Sequence, residues 1–264
     1  MRRKIGLNID CIKDGSKCDN ILKLKEAGFD CFFVMAIRED VDKYKKISED
    51  VGIYFEFIHA PFRGINAIWE EGDEYATLFD QMMETVDAAA EYGVPTVIIH
   101  LSSGWTPPAV NELGLKRYDK LVAHATEKKI NIAFENLRNV ENVLVIKERY
   151  KDNPYVGFCY DAGHEHCYTD NFDWIETFGD KLLCTHIHDN TGYDRSIDND
   201  THYLPFDGNV DYEDMIRRLD KVGYKGSLML EVFNKQKPEY LEWSEDKFIK
   251  ECYERIKRIE EMSN

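Results

Sequence analysis

The stretch Leu182-Leu-Cys-Thr-His-Ile-His-Asp189 ends a short apolar run with two histidines and an aspartate. Successive side chains of a β-strand point to opposite faces, so His186 and His188 share one face and Ile187 lies on the other. Two imidazoles and a carboxylate at the tip of a buried strand suggest a functional site. A pair of hydrogen-bonded structural histidines fits this segment equally well. The remainder of the chain decides between the two interpretations.

Short apolar runs alternate with longer amphipathic runs along all 264 residues. The predicted strands are 5–9, 31–36, 53–59, 96–101, 131–135, 155–161, 182–188 and 227–231. The predicted helices are 19–27, 40–51, 74–92, 115–128, 141–150, 172–178, 212–222 and 244–262. Eight strand–helix units favour a (β/α)8 TIM barrel over an open doubly wound sheet. No linker or low-complexity tract divides the chain, so we expect a single domain spanning 1–264.

The composition indicates a soluble, acidic protein. The formal charge of −16 disfavours nonspecific attraction to nucleic acid or to an anionic membrane, so we expect neither partner. No apolar stretch approaches the roughly 18 residues of a membrane span. The seven cysteines lack Cys-x-x-Cys spacing, which predicts reduced and mostly buried thiols. These features together favour a cytoplasmic location.

Polar residues gather at the carboxyl ends of the predicted strands, where barrels of this kind build their active sites. Seven of the eight histidines lie on a predicted strand or in the segment between its end and the next predicted helix, and only His124 lies in a predicted helix. A single polar residue at a strand end is usually a structural cap. A converging set of imidazoles and carboxylates is instead what a divalent metal site requires. These ends carry His59, His100, Glu135, Asp161, His186, His188 and Glu231.

The carboxylates Glu135, Asp161 and Glu231 would repel one another around a single point unless a cation offset their charge. Strand alternation points the His186 side chain into the open end of the barrel, toward these carboxylates. Three oxygen donors and one nitrogen suit Mn²⁺, Mg²⁺ or Co²⁺, and Zn²⁺ is also compatible. The strand ends therefore predict a divalent metal site.

Five segments in this order resemble the xylose isomerase-like barrel superfamily. They are Phe134-Glu-Asn136, Asp161-Ala-Gly-His164, His186-Ile-His-Asp-Asn190, the run 200–211 and Leu230-Glu231. The superfamily contains sugar isomerases and epimerases, inosose dehydratases and isomerases, and the endonuclease IV type of abasic-site nuclease. The resemblance spans nearly the whole chain.

The resemblance implies specific roles for residues of the epimerase branch. Glu135 and Glu231 would act as acid and base on opposite faces of a sugar, through a metal-stabilised enediolate. The implied metal ligands are Glu135, Asp161, His186 and Glu231.

At the implied substrate contacts, the chain departs from the epimerase pattern. His164 corresponds to a contact with a substrate oxygen. The epimerases usually carry an arginine about six residues after the metal histidine, but Gly192 occupies that position and the nearest arginine is Arg195. We assign further substrate contacts to His188, Trp105 and Arg195.

The nuclease branch is an alternative, because the chain also matches its three-zinc pattern. The matching residues are His59, His100, Glu135, Asp161, His164, His186, Asp200, His202 and Glu231. The run 189–208 is long for a barrel connection, which favours a functional role for Asp200 and His202. A second metal, or the substrate, would be held by His59, His100, His164, Asp200 and His202.

The predicted loops disfavour DNA as a partner. They offer only Arg63, Arg195, Lys235 and Lys237 against roughly a dozen acidic residues, a poor face for phosphate contacts. We therefore expect a metal-dependent isomerase or epimerase of a small sugar, sugar phosphate or cyclitol, assembled as a homo-oligomer. The alternatives are a zinc phosphodiesterase of the abasic-nuclease kind and a non-catalytic carbohydrate-binding barrel. The lack of a Gly-rich phosphate loop favours unphosphorylated substrates.

Overall fold

Eight parallel strands form a barrel in the computed structural model, which describes residues 2–263. The strands are β1 (Ile5–Asn8), β2 (Cys31–Met35), β3 (Tyr54–His59), β4 (Thr96–Ile99), β5 (Asn131–Glu135), β6 (Val156–Asp161), β7 (Leu182–His186) and β8 (Leu228–Leu230). They pair in the order β8-β1-β2-β3-β4-β5-β6-β7. Ile187 joins the two ends, because its N–H donates to Met229 O at 2.8 Å and its carbonyl accepts from Glu231 N–H at 3.1 Å. The predicted (β/α)8 TIM barrel is confirmed.

The helices surround the barrel. They are α1 (Lys17–Ala27), α2 (Val41–Val51), α3 (Ala76–Tyr92), α4 (Glu112–Lys128), α5 (Val140–Arg149), α6 (Ala162–Tyr168), α7 (Trp174–Phe178), α8 (Tyr212–Lys221), α9 (Pro238–Leu241) and α10 (Glu245–Glu260). The sequence pattern missed α6, which follows β6 without an intervening loop, and α9, which has only four residues. Within residues 2–263, no helix combines the length and the apolar character that a membrane crossing needs.

Strand alternation separates the core into two layers. Residues on the outer face of the barrel pack against the helices, while an inner layer fills the barrel interior. The inner layer consists of Cys31, Phe33, Phe57, Ile98, Ala133, Cys159, Cys184 and Met229. Most of these residues precede a candidate site residue by two positions, as Ala133 precedes Glu135 and Cys184 precedes His186. The period of two therefore builds an apolar floor directly beneath the polar mouth.

Candidate metal centre

The predicted ligands come together at the carboxyl ends of the strands. Glu135, Asp161, His186 and Glu231 offer donor atoms that all lie within 4.8 Å of one another. His186 Nδ1 lies 2.9 Å from Glu135 Oε1 and 3.2 Å from Glu231 Oε2. All four residues are buried. Three carboxylates and one imidazole converging on one point are a donor set that suits a divalent cation.

The start of α6 orients Asp161 toward this point. Asp161 caps the helix, and its Oδ1 accepts from the backbone N–H of His164 at 2.6 Å. The Asn136 side chain bonds both the N–H and the carbonyl of Asp161, at 2.7 and 2.9 Å. Asp161 Oδ2 is buried and has no hydrogen-bond partner among the described residues. A buried carboxylate oxygen without a donor is costly, and coordination of a cation would satisfy it.

Gly163 allows the strand end to approach α6 closely. A Cβ at this position would lie 2.0 Å from Cε1 of His188. The motif Asp161-Ala-Gly-His164 therefore needs glycine for packing. The His188 ring in turn stacks on His202, with ring centroids 3.9 Å apart.

Glu135 also faces a second donor cluster through its other oxygen. Glu135 Oε2 lies 2.7 Å from His100 Nε2 and 3.3 Å from His59 Nε2. His59 Nδ1 donates to the carbonyl of Ala60 at 2.8 Å, a bond that leaves Nε2 free to act as a ligand. His59, His100 and Glu135 form a group able to hold an ion, so Glu135 is a member both of this group and of the four-residue donor cluster.

A third donor cluster lies on the side of the long run 189–208. It contains His164, His188, Asp200 and His202. Asp200 Oδ1 lies 3.2 Å from His202 Nε2, and Asp200 Oδ2 lies 3.5 Å from His164 Nε2. His202 Nδ1 donates to the carbonyl of Glu231 at 2.9 Å, which orients its ring. The structure thus brings together every residue that the three-zinc pattern named.

The buried carboxylates at the barrel mouth favour positive charge on the groups around them. Burial by itself would raise the pKa of Glu135, but the neighbouring His186 and His100 hold it well below its ordinary value. Burial lowers the pKa of His186, and Glu231 with Glu135 outweighs burial and raises it to about 9. Asp200 acts in the same way on His202, whose pKa rises to about 10 despite burial. The carboxylates hold protons on these imidazoles, and divalent cations would replace those protons.

Two further polar residues near the strand ends, Asp189 and His166, have other roles. Asp189 accepts hydrogen bonds from the backbone N–H groups of Asn190, Phe206 and Val210, so it shapes the loop and is not a ligand. His166 lies away from the mouth and bonds Asn209. Of the three polar residues of the opening stretch, His186 and His188 belong to the donor clusters and Asp189 does not. Its partners Phe206 and Val210 lie 17 and 21 residues further along the chain, so the sequence around Asp189 carries no local signal of this role.

A cavity of about 330 Å³ opens above the metal ligands, and Glu231, His100 and Phe233 line it. Of the predicted substrate contacts, His188 lies within the third donor cluster. Trp105 and Arg195 line a neighbouring cavity of about 230 Å³.

Arg138 lines both cavities and was missed from the sequence. It lies in the four-residue connection between β5 and α5, which is not one of the predicted loops whose cations are named above. Its position three residues after Glu135 was the available signal.

The sequence matches the xylose isomerase-like TIM barrel family over residues 21–252. The chain therefore belongs to this family.

Two curated relatives are both known only as uncharacterized proteins. One, from Sinorhizobium fredii, is 33% identical over 159 residues, which are 55% of this chain and 50% of the relative. The other, from Methanocaldococcus jannaschii, is 26% identical over 191 residues, which are 66% of this chain and 63% of the relative. The chain thus spans half to two thirds of the length of these relatives.

Solved structures share the fold at low identity. The D-allulose 3-epimerase of a Methylomonas species, crystallised with D-allulose, is 15% identical with a TM-score of 0.74, over 97% of both chains. A xylose isomerase domain protein of Planctomyces limnophilus is 16% identical with a TM-score of 0.77, over 99% of this chain and 98% of the other. An L-ribulose 3-epimerase is 16% identical with a TM-score of 0.75, over 98% of this chain and 95% of the other.

Proposed function

We propose that this protein is a divalent-metal-dependent isomerase or epimerase that moves a proton on the carbon next to a carbonyl of a small carbohydrate. The observation that carries the proposal is the four-residue donor cluster, whose Glu231 lines a cavity of about 330 Å³. A cavity of this size suits a sugar and excludes a nucleic acid duplex. The likeness in fold to the sugar epimerases agrees with this substrate class.

Glu135, Asp161, His186 and Glu231 would hold the cation. When bound, the cation would polarise a carbonyl and its neighbouring hydroxyl and so acidify the hydrogen between them. Of the three carboxylates in this cluster, Glu231 is the one that lines the cavity, so it is the best placed to take or return that proton. Glu135 would serve the opposite face of the same carbon. One glutamate then accepts a proton as the other delivers one, and the configuration at that carbon is inverted.

The apolar floor supports this chemistry. Phe33 stacks on His186 with ring centroids 4.8 Å apart, and Phe57 lies against the same imidazole at 5.6 Å. Both phenylalanines are fully buried. They exclude water from beneath the ligands, which strengthens the electrostatic interactions of the carboxylates.

Solvent exchange tests the proposal. The metal-loaded protein is incubated in D2O with a panel of ketoses and inososes, and mass spectrometry measures deuterium at the carbon next to the carbonyl. We expect deuterium to enter during turnover, and Glu231→Gln to slow its entry by about 10³-fold.

Glu56→Gln is the matched control. Glu56 lies in the same barrel but toward the amino end of β3, where its Oε1 accepts from Ser227 at 2.8 Å. We expect this variant to keep exchange. Turnover with fully retained hydrogen would contradict the proposal and indicate a hydride shift.

A second candidate function is metal-assisted phosphodiester hydrolysis. The specific observation that favours it is Glu135, whose two oxygens face His186 on one side and His59 with His100 on the other. Such a carboxylate suits a bridge between two metal ions, an arrangement typical of phosphodiesterases.

The metal content of protein purified without added metal or chelator separates the two functions. About one manganese, cobalt or magnesium ion per chain, measured by elemental mass spectrometry, supports the isomerase. Two or three zinc ions per chain favour the hydrolase, and abasic DNA and simple phosphodiesters become the next substrates to assay.

A further inference from the structure

Two cavities meet at the barrel mouth. The cavity above the metal ligands and its neighbour of about 230 Å³ share Arg138 and Tyr168 in their walls. The neighbouring cavity is also lined by Trp105 and Arg195. A sugar seated over the metal ligands can therefore extend one end between the two arginines.

The two arginines retain free hydrogen-bond donors. The Arg138 guanidinium lies 3.6 Å from the centre of the Tyr168 ring, and its Nε is buried without a hydrogen-bond partner among the described residues. Within residues 2–263, Asp198 is the carboxylate in ion-pair range of Arg138, at 3.5 Å, and Asp198 is 84% exposed. Arg195 has no such carboxylate there, and its guanidinium lies 5.1 Å from the centre of a Trp105 ring.

The aromatic side chains hold these guanidiniums in place. Trp105 lies near both arginines, with the Arg138 guanidinium 5.3 Å and the Arg195 guanidinium 5.1 Å from the centre of a Trp105 ring. Tyr168 donates to Asp200 Oδ2 at 2.6 Å, which links this wall to the third donor cluster. Stacking on aromatic faces leaves the in-plane donors of a guanidinium available to a bidentate acceptor.

The amino end of α5 adds a further positive field. Asn139 caps this helix by accepting from Asn142 N–H at 3.1 Å, and both Asn139 and Val140 line the neighbouring cavity. The first backbone N–H groups of a helix have no intrahelical acceptor and favour anions. Glu141 is exposed and does not line the cavity.

We propose that this second cavity is an anion subsite, in which Arg138 and Arg195 bind a phosphoryl or carboxylate group of the substrate. The inference rests on the proposed function and narrows it, because it makes the substrate an anionic carbohydrate: a sugar phosphate or a sugar acid. It reverses the preference for unphosphorylated substrates, which rested on the lack of a Gly-rich loop. Guanidiniums on an aromatic support perform the same recognition without such a loop.

Three matched ketoses test the subsite by calorimetric titration of the Mn²⁺-loaded full chain. They are D-fructose, D-fructose 6-phosphate and D-fructuronate, which differ at carbon 6. We expect at least one charged ketose to bind about 10- to 100-fold more tightly than fructose. Arg138→Gln should remove most of this preference, Arg195→Gln a smaller part, and Arg138→Lys should restore some of it. Arg63→Gln is the control, because Arg63 is exposed and lines neither cavity.

Each outcome decides the inference. A stronger preference for the phosphate or for the carboxylate identifies the group that the subsite binds. Equal affinity for all three ketoses, no measurable binding of either charged ketose, or a preference that survives in both glutamine variants would overturn it. Thermal unfolding and metal content confirm that each variant is folded and loaded. If deuterium exchanges only into neutral sugars, the proposed function stands and the anion subsite fails. If binding depends on the arginines but no exchange occurs, the anion subsite stands and the proposed function fails.

Discussion

The barrel mouth and the Arg218 network are two carboxylate clusters that meet at α6 yet differ in what balances their charge. We define the Arg218 network as Arg218 with Glu165, Asp173 and Asp214. Arg218 lies 2.7 Å from Glu165, 3.1 Å from Asp173 and 2.7 Å from Asp214, nitrogen to oxygen. The next residue before Glu165 is His164, which belongs to the mouth.

The difference lies in the cation. Burial lowers the pKa of Arg218, but Glu165 and Asp173 outweigh burial and raise it, so its charge is permanent. Glu165 is further satisfied by the Tyr160 hydroxyl at 2.5 Å. The mouth balances its carboxylates with imidazoles, which can lose a proton, and it keeps unpartnered atoms such as Asp161 Oδ2. A guanidinium stays protonated and cannot become a metal ligand, whereas an imidazolium can lose its proton and bind a metal ion. The Arg218 network is therefore structural, and the barrel mouth is suited to binding.

The largest expected effect is that of Glu135→Gln, because Glu135 belongs both to the four-residue donor cluster and to the cluster with His59 and His100. We expect its metal content to fall and turnover to drop by about 10³-fold. In the parent protein, chelation should lower the melting temperature by roughly 5–10 °C, the effect of losing a ligand present at about 100 times its Kd. The variant should lose this shift. A Glu135→Gln protein with a full complement of metal would contradict the assignment.

Arg218→Met should have the opposite profile. The substitution removes the Arg218 guanidinium from Glu165, whose side chain is only 14% exposed. We therefore expect the free energy of unfolding to fall by about 1–3 kcal/mol. Metal content and the chelation shift should stay at their parental values, because the mouth keeps all its ligands. Urea unfolding and elemental mass spectrometry on the same sample measure both. A loss of metal here would show that the two clusters are coupled through α6.

Arg217→Gln is the smallest change and the matched control for Arg218→Met. Arg217 also pairs with Asp214, but it is 68% exposed. Solvent screens such a pair, so we expect a loss of less than about 0.5 kcal/mol in urea unfolding. A loss as large as that of Arg218→Met would mean that Asp214, rather than the buried Glu165, carries the network's stability.

Most of the barrel and of the candidate metal centre could be predicted from periodicity. The alternation of Cys184, His186 and His188 places all three inside the barrel, and Ile187 outside among the helices. The same alternation places Ala133 in the apolar floor of the barrel and Glu135, two residues later, in the donor cluster above it. Strand alternation is a local property of the backbone, so it can be read from neighbouring residues alone.

The amino-acid sequence by itself thus determined the eight strand–helix units, the face on which each ligand lies, and the convergence of the ligands at one end of the barrel. Only the tertiary structure decided that Asp189 shapes its loop, that Glu135 faces two donor clusters, and that Arg138, Trp105 and Arg195 share one cavity. The physical reason is that these relations join residues of different loops. Their distances depend on how the loops pack above the closed barrel, and no local period records that packing.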